Sequence, residues 1–184
     1  MKKYILLIAL AVSVLTAKAQ FNVDRLITSG KVALHYEDYV LSIQYFNQVI
    51  ALKPFLYEPW QYRAVAKFYL DDFVGAETDA SEAIALNPYI DILYDLRAIS
   101  RIRQEDYAGA IADYNKAIAI SPDTRNYWFN RAICMLNSKD YDDALAQTDS
   151  IIRKWQRFAN AYQLKAEVWL NKKDTVEAAK WLDK

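Results

Sequence analysis

The chain has 184 residues, of which 54% are hydrophobic and 25% are charged, so it can bury a core and is not a disordered chain. It contains only 3 Gly and 4 Pro, too few for the many turns of an all-β or loop-rich fold. The 23 basic and 23 acidic residues balance, which argues against the basic surface of a nucleic-acid-binding protein.

The first element in chain order is a targeting segment. Lys2 and Lys3 precede an apolar run over residues 4–15, and residues 17–19 read Ala-Lys-Ala, a small-residue cleavage pattern. The run is shorter than the roughly 20 apolar residues that cross a bilayer. We therefore predict a bacterial-type signal peptide over residues 1–19, cleaved after about Ala19, and export to the periplasm or the cell exterior. An uncleaved anchor and a buried first helix are the alternatives.

The rest of the chain repeats itself at a constant step of 34. Three sets of residues recur at this step, and we call each set a column. The proline column is Pro54, Pro88 and Pro122, and the aspartate column is Asp38, Asp72, Asp106, Asp140 and Asp174. The small-residue column is Gly30, Ala64, Ala98, Ala132 and Ala166. The small residue lets a second helix approach the first, the aspartate caps that second helix, and the proline ends it. One hairpin cannot bury its apolar face alone, so we predict stacked hairpins at residues 23–56, 57–90, 91–124, 125–158 and, in part, 159–184.

The third repeat carries the fullest form of the pattern, with large, small and turn residues in the order Tyr94, Ala98, Tyr107, Ala110, Tyr114, Ala117 and Pro122. This order resembles the tetratricopeptide repeat family, and the resemblance covers nearly all of residues 20–184. It implies an all-α fold, an α-solenoid of stacked antiparallel helix hairpins that forms a right-handed superhelix. It also implies a concave groove, lined by the first helix of each repeat, that binds a protein or peptide without catalysis.

Carried over position by position, the resemblance assigns a set of side chains to the central groove. They are Gln61, Tyr62, Val65, Phe68, Tyr69, Asp95, Ile99, Ile102, Arg103, Asn126, Phe129, Asn130, Ile133, Leu136 and Asn137. Phe68, Ile102 and Leu136 form an apolar column, whose alternative role is packing between neighbouring helices. The paired cations with which some family members hold a C-terminal carboxylate are absent from the matching positions. The groove therefore suits an amphipathic helix or an extended segment with apolar anchors.

A basic column precedes the small-residue column by one position. It consists of Arg63, Arg97, Arg131 and Lys165. Asp79 and Asp113 follow the first two arginines by sixteen residues, which predicts an ion pair between the two helices of a repeat; a basic stripe for an anionic ligand is the alternative. In the fourth repeat Gln147 holds the aspartate position, so we expect Arg131 to be freer.

No catalytic, metal or cofactor motif emerges from the sequence. His35 is the only histidine, no Cys/His cluster has zinc spacing, and glycines at 30, 75 and 109 cannot form a phosphate loop. Cys134, the only cysteine, is expected in the core, with an intermolecular disulfide as the alternative. We therefore predict no enzyme activity, no cofactor, no metal and no nucleic-acid partner.

The pattern weakens toward the end of the chain. Gln156 replaces the fourth proline and Lys154 replaces a nearby apolar residue, which predicts a looser or longer turn between repeats 4 and 5. No capping helix follows the last hairpin, so Trp181 and Leu182 are expected to leave an exposed apolar end. We predict a non-catalytic interaction module, a scaffold or adaptor of the cell envelope. The alternatives are a self-assembly unit that forms a homo-oligomer through this end, and a part of a longer protein cut at residue 184.

Overall fold

A computed structural model describes residues 22–182, so the predicted signal peptide lies outside the described residues. This part contains ten α-helices and no strand. They are α1 (22–35), α2 (Tyr39–Leu52), α3 (Tyr57–Tyr69), α4 (Phe73–Leu86), α5 (Asp91–Arg103), α6 (Tyr107–Ile120), α7 (Arg125–Asn137), α8 (Tyr141–Lys154), α9 (Ala159–Asn171) and α10 (Thr175–Leu182). None of these helices is both long and apolar enough to cross a membrane.

The helices follow the sequence period. From Tyr57 onward the first helix of each hairpin begins one period after the previous one, and the second helices keep the same step from Tyr39. Turns of three residues join the helices of a hairpin, and turns of four residues join one hairpin to the next. The prediction of an all-α chain built from consecutive helix hairpins is confirmed. The limits of the domain and of its repeats stay predictions.

The described residues divide into two compact units, one up to residue 86 and one from residue 87 onward. In the first unit α2 packs against α3, and α3 packs against α4. In the second unit each helix from α5 to α10 packs against the next one along the chain, and α7 also contacts α9. The contact between α7 and α9 places the first helices of two successive hairpins side by side.

The aspartate column caps the second helices. The carboxylates of Asp38, Asp72, Asp106 and Asp174 each accept a hydrogen bond, at 2.9 to 3.1 Å, from the backbone N–H three residues later. Each bond satisfies one of the free N–H groups of the first turn, so the predicted cap is confirmed at these four positions. Asp140 makes no such bond, which leaves α8 without a side-chain cap.

The turn inside each hairpin depends on a left-handed residue. The residue before each aspartate of the column has a φ between 60° and 66°, and these residues are Glu37, Asp71, Glu105, Lys139 and Lys173. A left-handed conformation costs a non-glycine residue about 1–2 kcal/mol. It recurs at all five turns because the backbone must reverse there, and helix packing on both sides stabilises the reversal.

Small residues set how closely the paired helices approach. The alanines at 64, 98, 132 and 166 on first helices, and those at 76, 110 and 144 on second helices, are fully buried. At Gly30 an added Cβ would lie 2.8 Å from Cζ of the buried Phe46 ring, so a larger residue at this position would require that ring to shift. The Ser42 hydroxyl also donates to the Gly30 carbonyl at 3.0 Å.

Two other predictions are tested by the fold. The turn between α8 and α9 has four residues, like the other turns between hairpins, and the Trp155 N–H bonds the Ile151 carbonyl at 2.7 Å. The expectation of a longer or looser turn is therefore wrong, because the backbone bond that closes the helix does not need proline. The expectation for Cys134 is confirmed: its side chain is buried, and burial raises the pKa of the thiol to about 12.

Candidate functional site

The side chains of the basic column mainly form hydrogen bonds and ion pairs inside the hairpins. Arg63 donates from Nε and Nη2 to the two carboxylate oxygens of Asp79, each at 2.7 Å. Arg97 makes the same paired contact with Asp113, at 2.9 and 2.6 Å. Both carboxylates are almost fully buried, and each bonds a second cation one turn further along the first helix, Lys67 or Arg101. The predicted ion pair is confirmed, so these arginines do not form a free basic stripe.

Arg131 shows what happens when the carboxylate is missing. It donates to the side-chain oxygens of Gln147, at 2.6 Å, and of Asn115. Its Nε atom is buried without a hydrogen-bond partner, and desolvation lowers the pKa of the guanidinium. The expectation that Arg131 would be freer is wrong: two amides hold the side chain in the hairpin, but no acid neutralises it.

In the first unit, the predicted groove residues on α3 are partly covered by aromatic contacts. Tyr69 is exposed but stacks on Tyr39 with ring centroids 5.1 Å apart, and Tyr62 stacks on Phe46 at 5.6 Å. Phe68 packs edge-on against Phe73 at 5.4 Å. Gln61 and Val65 are half-buried beside them. Phe68 therefore contacts the second helix of its own hairpin, and its role in a groove stays a prediction.

In the second unit, Asp95 and Asn130 lie beside the same buried group, the hydroxyl of Tyr114. Both side chains are close enough to Tyr114 to affect its pKa, which burial raises strongly. Burial also raises the pKa of Asp95, and its Oδ1 atom has no hydrogen-bond partner. On the next helix Tyr127 donates to Asp91 at 3.1 Å. Tyr114 is buried, and Asp91, Asp95 and Asn130 are half-buried around it. The role of Asp95 and Asn130 in a groove stays a prediction.

The predicted groove residues of α7 line a cleft. Phe129, Ile133, Leu136 and Asn137 border a cavity of about 220 Å³ between α7 and α9. Its other lining residues come from α9 and are Asn160, Gln163, Leu164 and Glu167. Sequence reasoning missed these four. The period was the signal that could have found them, since they lie one repeat after Asn126, Phe129, Asn130 and Ile133.

The cleft has an apolar floor and a polar rim. Leu136 and Leu164 are buried at its base, whereas Asn137, Asn160 and Gln163 are exposed. Phe129 and Ile133 are half-buried and pack against the core of residues shared by α7, α8 and α9. The remaining predicted residues lie outside this lining: Ile99 and Ile102 are half-buried, and Arg103 and Asn126 are exposed. Leu136 thus serves both the core and the cleft.

Two further observations bear on chemistry. His35 lies at the end of α1, where its ring meets that of Tyr36 edge-on at 5.2 Å. Within residues 22–182, the structure has no group of three His, Cys, Asp or Glu side chains placed to hold a metal ion.

A family model described as Tetratricopeptide repeat matches residues 101–168, which span α6, α7, α8 and most of α9. This region matches the tetratricopeptide repeat family. No curated protein matches the sequence.

Solved structures share the fold over most of the chain. The crystal structure of MamA is 15% identical, covers 88% of each chain and has a TM-score of 0.81. YrrB, described as a TPR protein with an unusual peptide-binding site, is 13% identical over 86% of this chain and 81% of its own, with a TM-score of 0.76. The first TPR of Spaghetti (RPAP3), bound to the HSP90 peptide SRMEEVD, is 22% identical over 62% of this chain and 91% of its own, with a TM-score of 0.61. At these identities the likeness shows the fold alone.

Proposed function

We propose that this protein is a non-catalytic interaction module that holds a peptide segment of a partner protein in the cleft between α7 and α9. The cleft carries the proposal, because its apolar floor and amide rim match the two needs of an extended peptide. Leu136 and Leu164 would receive an apolar side chain. The exposed amides of Asn137, Asn160 and Gln163 would bond the backbone on either side of it.

The size of the cleft favours a peptide over a cofactor. Pockets for drug-sized ligands usually enclose about 300–1,000 Å³. The cleft encloses about 220 Å³, which is room for one or two side chains. Full burial of one large apolar side chain contributes about 1.5–3 kcal/mol, so additional contacts along the rim must supply the rest of the affinity. The partner segment is therefore expected to run along the cleft with one anchor residue inside.

The similar structures support a peptide ligand. YrrB is described as having a peptide-binding site, and the Spaghetti repeat is described as bound to an HSP90 peptide. The module would act in the cell envelope as a scaffold or adaptor, since residues 2–19 have the order of a signal peptide. N-terminal sequencing of the protein recovered from a bacterial periplasm tests export. A sequence that starts near Gln20 would support it, and an intact Met1 on cytoplasmic protein would contradict it.

A change at the exposed rim gives the sharpest test of the cleft. Gln163→Trp puts a bulky ring over the cleft without removing a core contact, because Gln163 is exposed. Ala146→Trp is the matched control, since Ala146 is exposed on α8 and does not line the cleft. Peptides selected from a random library by the natural protein should bind the control equally and lose at least about ten-fold in affinity for Gln163→Trp.

The melting temperature should be unchanged in both variants, because both positions are on the surface. Selected peptides that bind Gln163→Trp as well as they bind the natural protein would show that the cleft is not the binding surface. The rim is a better target than Phe129 and Ile133. Glutamates at those two positions would remove binding but would also disturb the core against which both side chains pack.

Self-assembly is the second candidate, favoured by exposed apolar side chains on the last hairpin. Leu170, Val176 and Leu182 are 47%, 71% and 59% exposed. Trp181 is half-buried and stacks on Tyr162 at 6.3 Å, so the expectation of an exposed end holds for Leu182 and not for Trp181. Sedimentation equilibrium of residues 20–184 over a range of concentrations tests this candidate. A mass that rises with concentration and returns to the monomer value in Val176→Lys would support it, and a constant monomer mass would exclude it.

A further inference from the structure

The turn between α8 and α9 differs in charge from the equivalent turns between earlier hairpins. Position 153 is arginine where earlier repeats have Ala51, Ala85 and Ala119, and position 154 is lysine where they have Leu52, Leu86 and Ile120. Position 157 is arginine where they have Phe55, Tyr89 and Asp123. This turn therefore carries three cations at positions that hold no cation in the earlier repeats. Because it has the same length as the earlier turns between hairpins, the fold does not require these cations.

These cations surround a cavity. Its volume is about 360 Å³, and we call it the basic pocket, defined by Arg125, Arg153, Lys154, Trp155, Arg157 and Phe158. The four cations are exposed, whereas the two rings are half-buried and form walls. Only the Gln156 side chain completes the lining, so no carboxylate borders the pocket.

Aromatic faces hold two of the cations in place. The guanidinium carbon of Arg125 lies 4.2 Å from the centre of the Phe158 ring. The ammonium of Lys154 lies 4.8 Å from the centre of the Trp155 ring and 5.3 Å from that of Trp128. Such contacts are attractive but leave the charge of the cation unneutralised. Because these contacts already restrict the side chains, Arg125 and Lys154 would lose less conformational entropy when a ligand binds.

The pocket has little internal compensation for its charge. Lys154 pairs with Asp123 at 2.8 Å, but the Asp123 side chain is 90% exposed, and such a pair contributes about 0–1 kcal/mol. Across residues 22–182 the structure records no ion pair to Arg125, Arg153 or Arg157. The net charge of the pocket is therefore strongly positive in a chain whose total charge is zero.

The helix ends at the pocket add to the positive potential. Arg125 is the first residue of α7, and Arg157 lies two residues before α9, at helix ends where the macrodipole disfavours a cation. Neither helix has a side-chain N-cap or an acidic residue in its first turn. By contrast, α3 and α5 carry Glu58 and Asp91 there.

The dipole of α8 accounts for only part of this arrangement. Arg153 and Lys154 lie in the last turn of α8, where a cation is worth about 0.3–1 kcal/mol. Arg125 and Arg157 receive no such benefit and lie in an unfavourable field. An anionic ligand inside the pocket would offset part of this positive charge and would lie near the N–H groups at the start of α9.

We propose that the basic pocket binds an acidic peptide segment of a partner protein, at a site separate from the cleft between α7 and α9. Glutamate or aspartate carboxylates would pair with Arg153 and Arg157, while their methylene groups would lie on Trp155 and Phe158. The ring walls and the volume fit side chains with an apolar part better than an isolated oxyanion. The balanced charge of the chain disfavours a nucleic acid, which needs a longer basic surface.

The test measures anisotropy of a fluorescein-labelled peptide, Glu-Glu-Leu-Glu-Glu-Phe-Glu-Glu, against residues 20–184. The same peptide with glutamine in place of every glutamate is the ligand control. Arg153→Ala/Arg157→Ala removes two pocket cations, and alanine already occupies the first position in three other repeats. Arg25→Ala/Lys116→Ala is the matched protein control, since it removes two exposed cations away from the pocket.

The glutamate peptide should bind the natural protein and the control equally, with affinity that falls as NaCl screens the charges. The pocket variant should lose at least about ten-fold in affinity. Equal binding of the glutamine peptide, or full affinity in the pocket variant, would overturn the proposal. So would binding of inorganic phosphate or of phosphatidylglycerol vesicles that depends on Arg153 and Arg157 while the glutamate peptide does not bind.

The outcome is distinguishable from that of the cleft. Gln163→Trp closes the cleft and leaves every residue of the basic pocket in place. It should not change the affinity for the glutamate peptide. The pocket variant should fold normally, because both side chains are exposed and their two small effects oppose each other. Loss of Arg153 removes a favourable cation from the last turn of α8, and loss of Arg157 removes an unfavourable cation just before α9, so the melting temperature should change little.

Discussion

The hairpins α5–α6 and α7–α8 have the same backbone, but the arginine at the equivalent position meets a different acceptor in each. In α5–α6, Arg97 meets the carboxylate of Asp113, which Arg101 also bonds at 2.8 Å. In α7–α8, Arg131 meets the neutral amide of Gln147, and its Nε atom has no partner. The two hairpins therefore contain the same cation at the same place, once neutralised and once not.

The difference shows which interaction of this arginine the repeat requires and which it can lack. A hydrogen bond between the two helices is present in both hairpins, so it is the geometric requirement. Charge neutralisation is present in only one of them. A buried ion pair adds little net stability but costs about 3–5 kcal/mol when one partner is lost, whereas a hydrogen bond from a cation to a neutral amide contributes about 1.5–3 kcal/mol. The two hairpins should thus respond very differently to loss of the acceptor.

The largest expected effect comes from removal of the acceptor in α5–α6. Asp113→Ala leaves Arg97 and Arg101 half-buried without their carboxylate, which should lower the free energy of unfolding by about 3 kcal/mol. Gln147→Ala is the counterpart in α7–α8 and should cost less, about 1.5 kcal/mol, because the lost bond joins Arg131 to a neutral amide. Urea denaturation followed by circular dichroism measures both. Equal losses would mean that neutralisation of the arginine does not distinguish the hairpins.

A smaller effect is expected when the missing acid is supplied. Gln147→Asp places a carboxylate opposite Arg131, and the charged hydrogen bond should raise the free energy of unfolding by about 1 kcal/mol. Part of the gain is offset because Gln147 also donates to the Trp128 carbonyl at 3.3 Å. Gln147→Glu serves as the control for side-chain length. A loss of stability in Gln147→Asp would show that the amide is required for packing.

The smallest effect concerns Asp95, whose counterpart in α7 is Phe129. Burial raises the pKa of Asp95, with a smaller contribution from Asp91, while the Tyr114 hydroxyl opposes the shift. The folded state therefore favours the protonated form of Asp95. The stability that Asp95 contributes is fully present below the ordinary aspartate pKa of about 4. It is lost as the pH rises through the higher pKa of the folded state.

Asp95→Asn removes this dependence. The variant should melt higher than the natural protein at pH 7 and at nearly the same temperature below about pH 4. Asp143→Asn, which changes an exposed carboxyl on α8, is the control. A melting-temperature difference for Asp95→Asn that is independent of pH would indicate a change in packing and not the titration of Asp95.

Much of the fold could be predicted from the sequence because each repeat carries the same types of residue at the same positions. The aspartate column fixed the start of each second helix, and the spacing of Arg97 and Asp113 predicted their ion pair. Prediction failed where one repeat departs from the others. Gln156 does not loosen its turn, because the Trp155 N–H already closes the helix, and Arg131 is not freer, because Gln147 and Asn115 both accept from it.

The candidate site was half predictable. Phe129 and Ile133 were expected in the groove and line the cleft. The four lining residues on α9, Asn160, Gln163, Leu164 and Glu167, were not predicted, because they belong to the last repeat, where the sequence pattern is only partial. The basic pocket was missed for a different reason. Arg125 begins α7 and Arg157 lies in the turn before α9, nearly one period apart in the sequence, and only the packing of the helices brings both to one cavity.

By itself, the sequence determined the helix period, the caps and the small-residue faces, since each depends on contacts between residues a few positions apart or on one constant step along the chain. Only the tertiary structure decided the left-handed residue in each hairpin turn, where no glycine signals a φ near 60°. It alone also decided which exposed side chains share a cavity. Both properties arise from the packing of whole helices, because the backbone must reverse within three residues and side chains from different helices converge only after that packing.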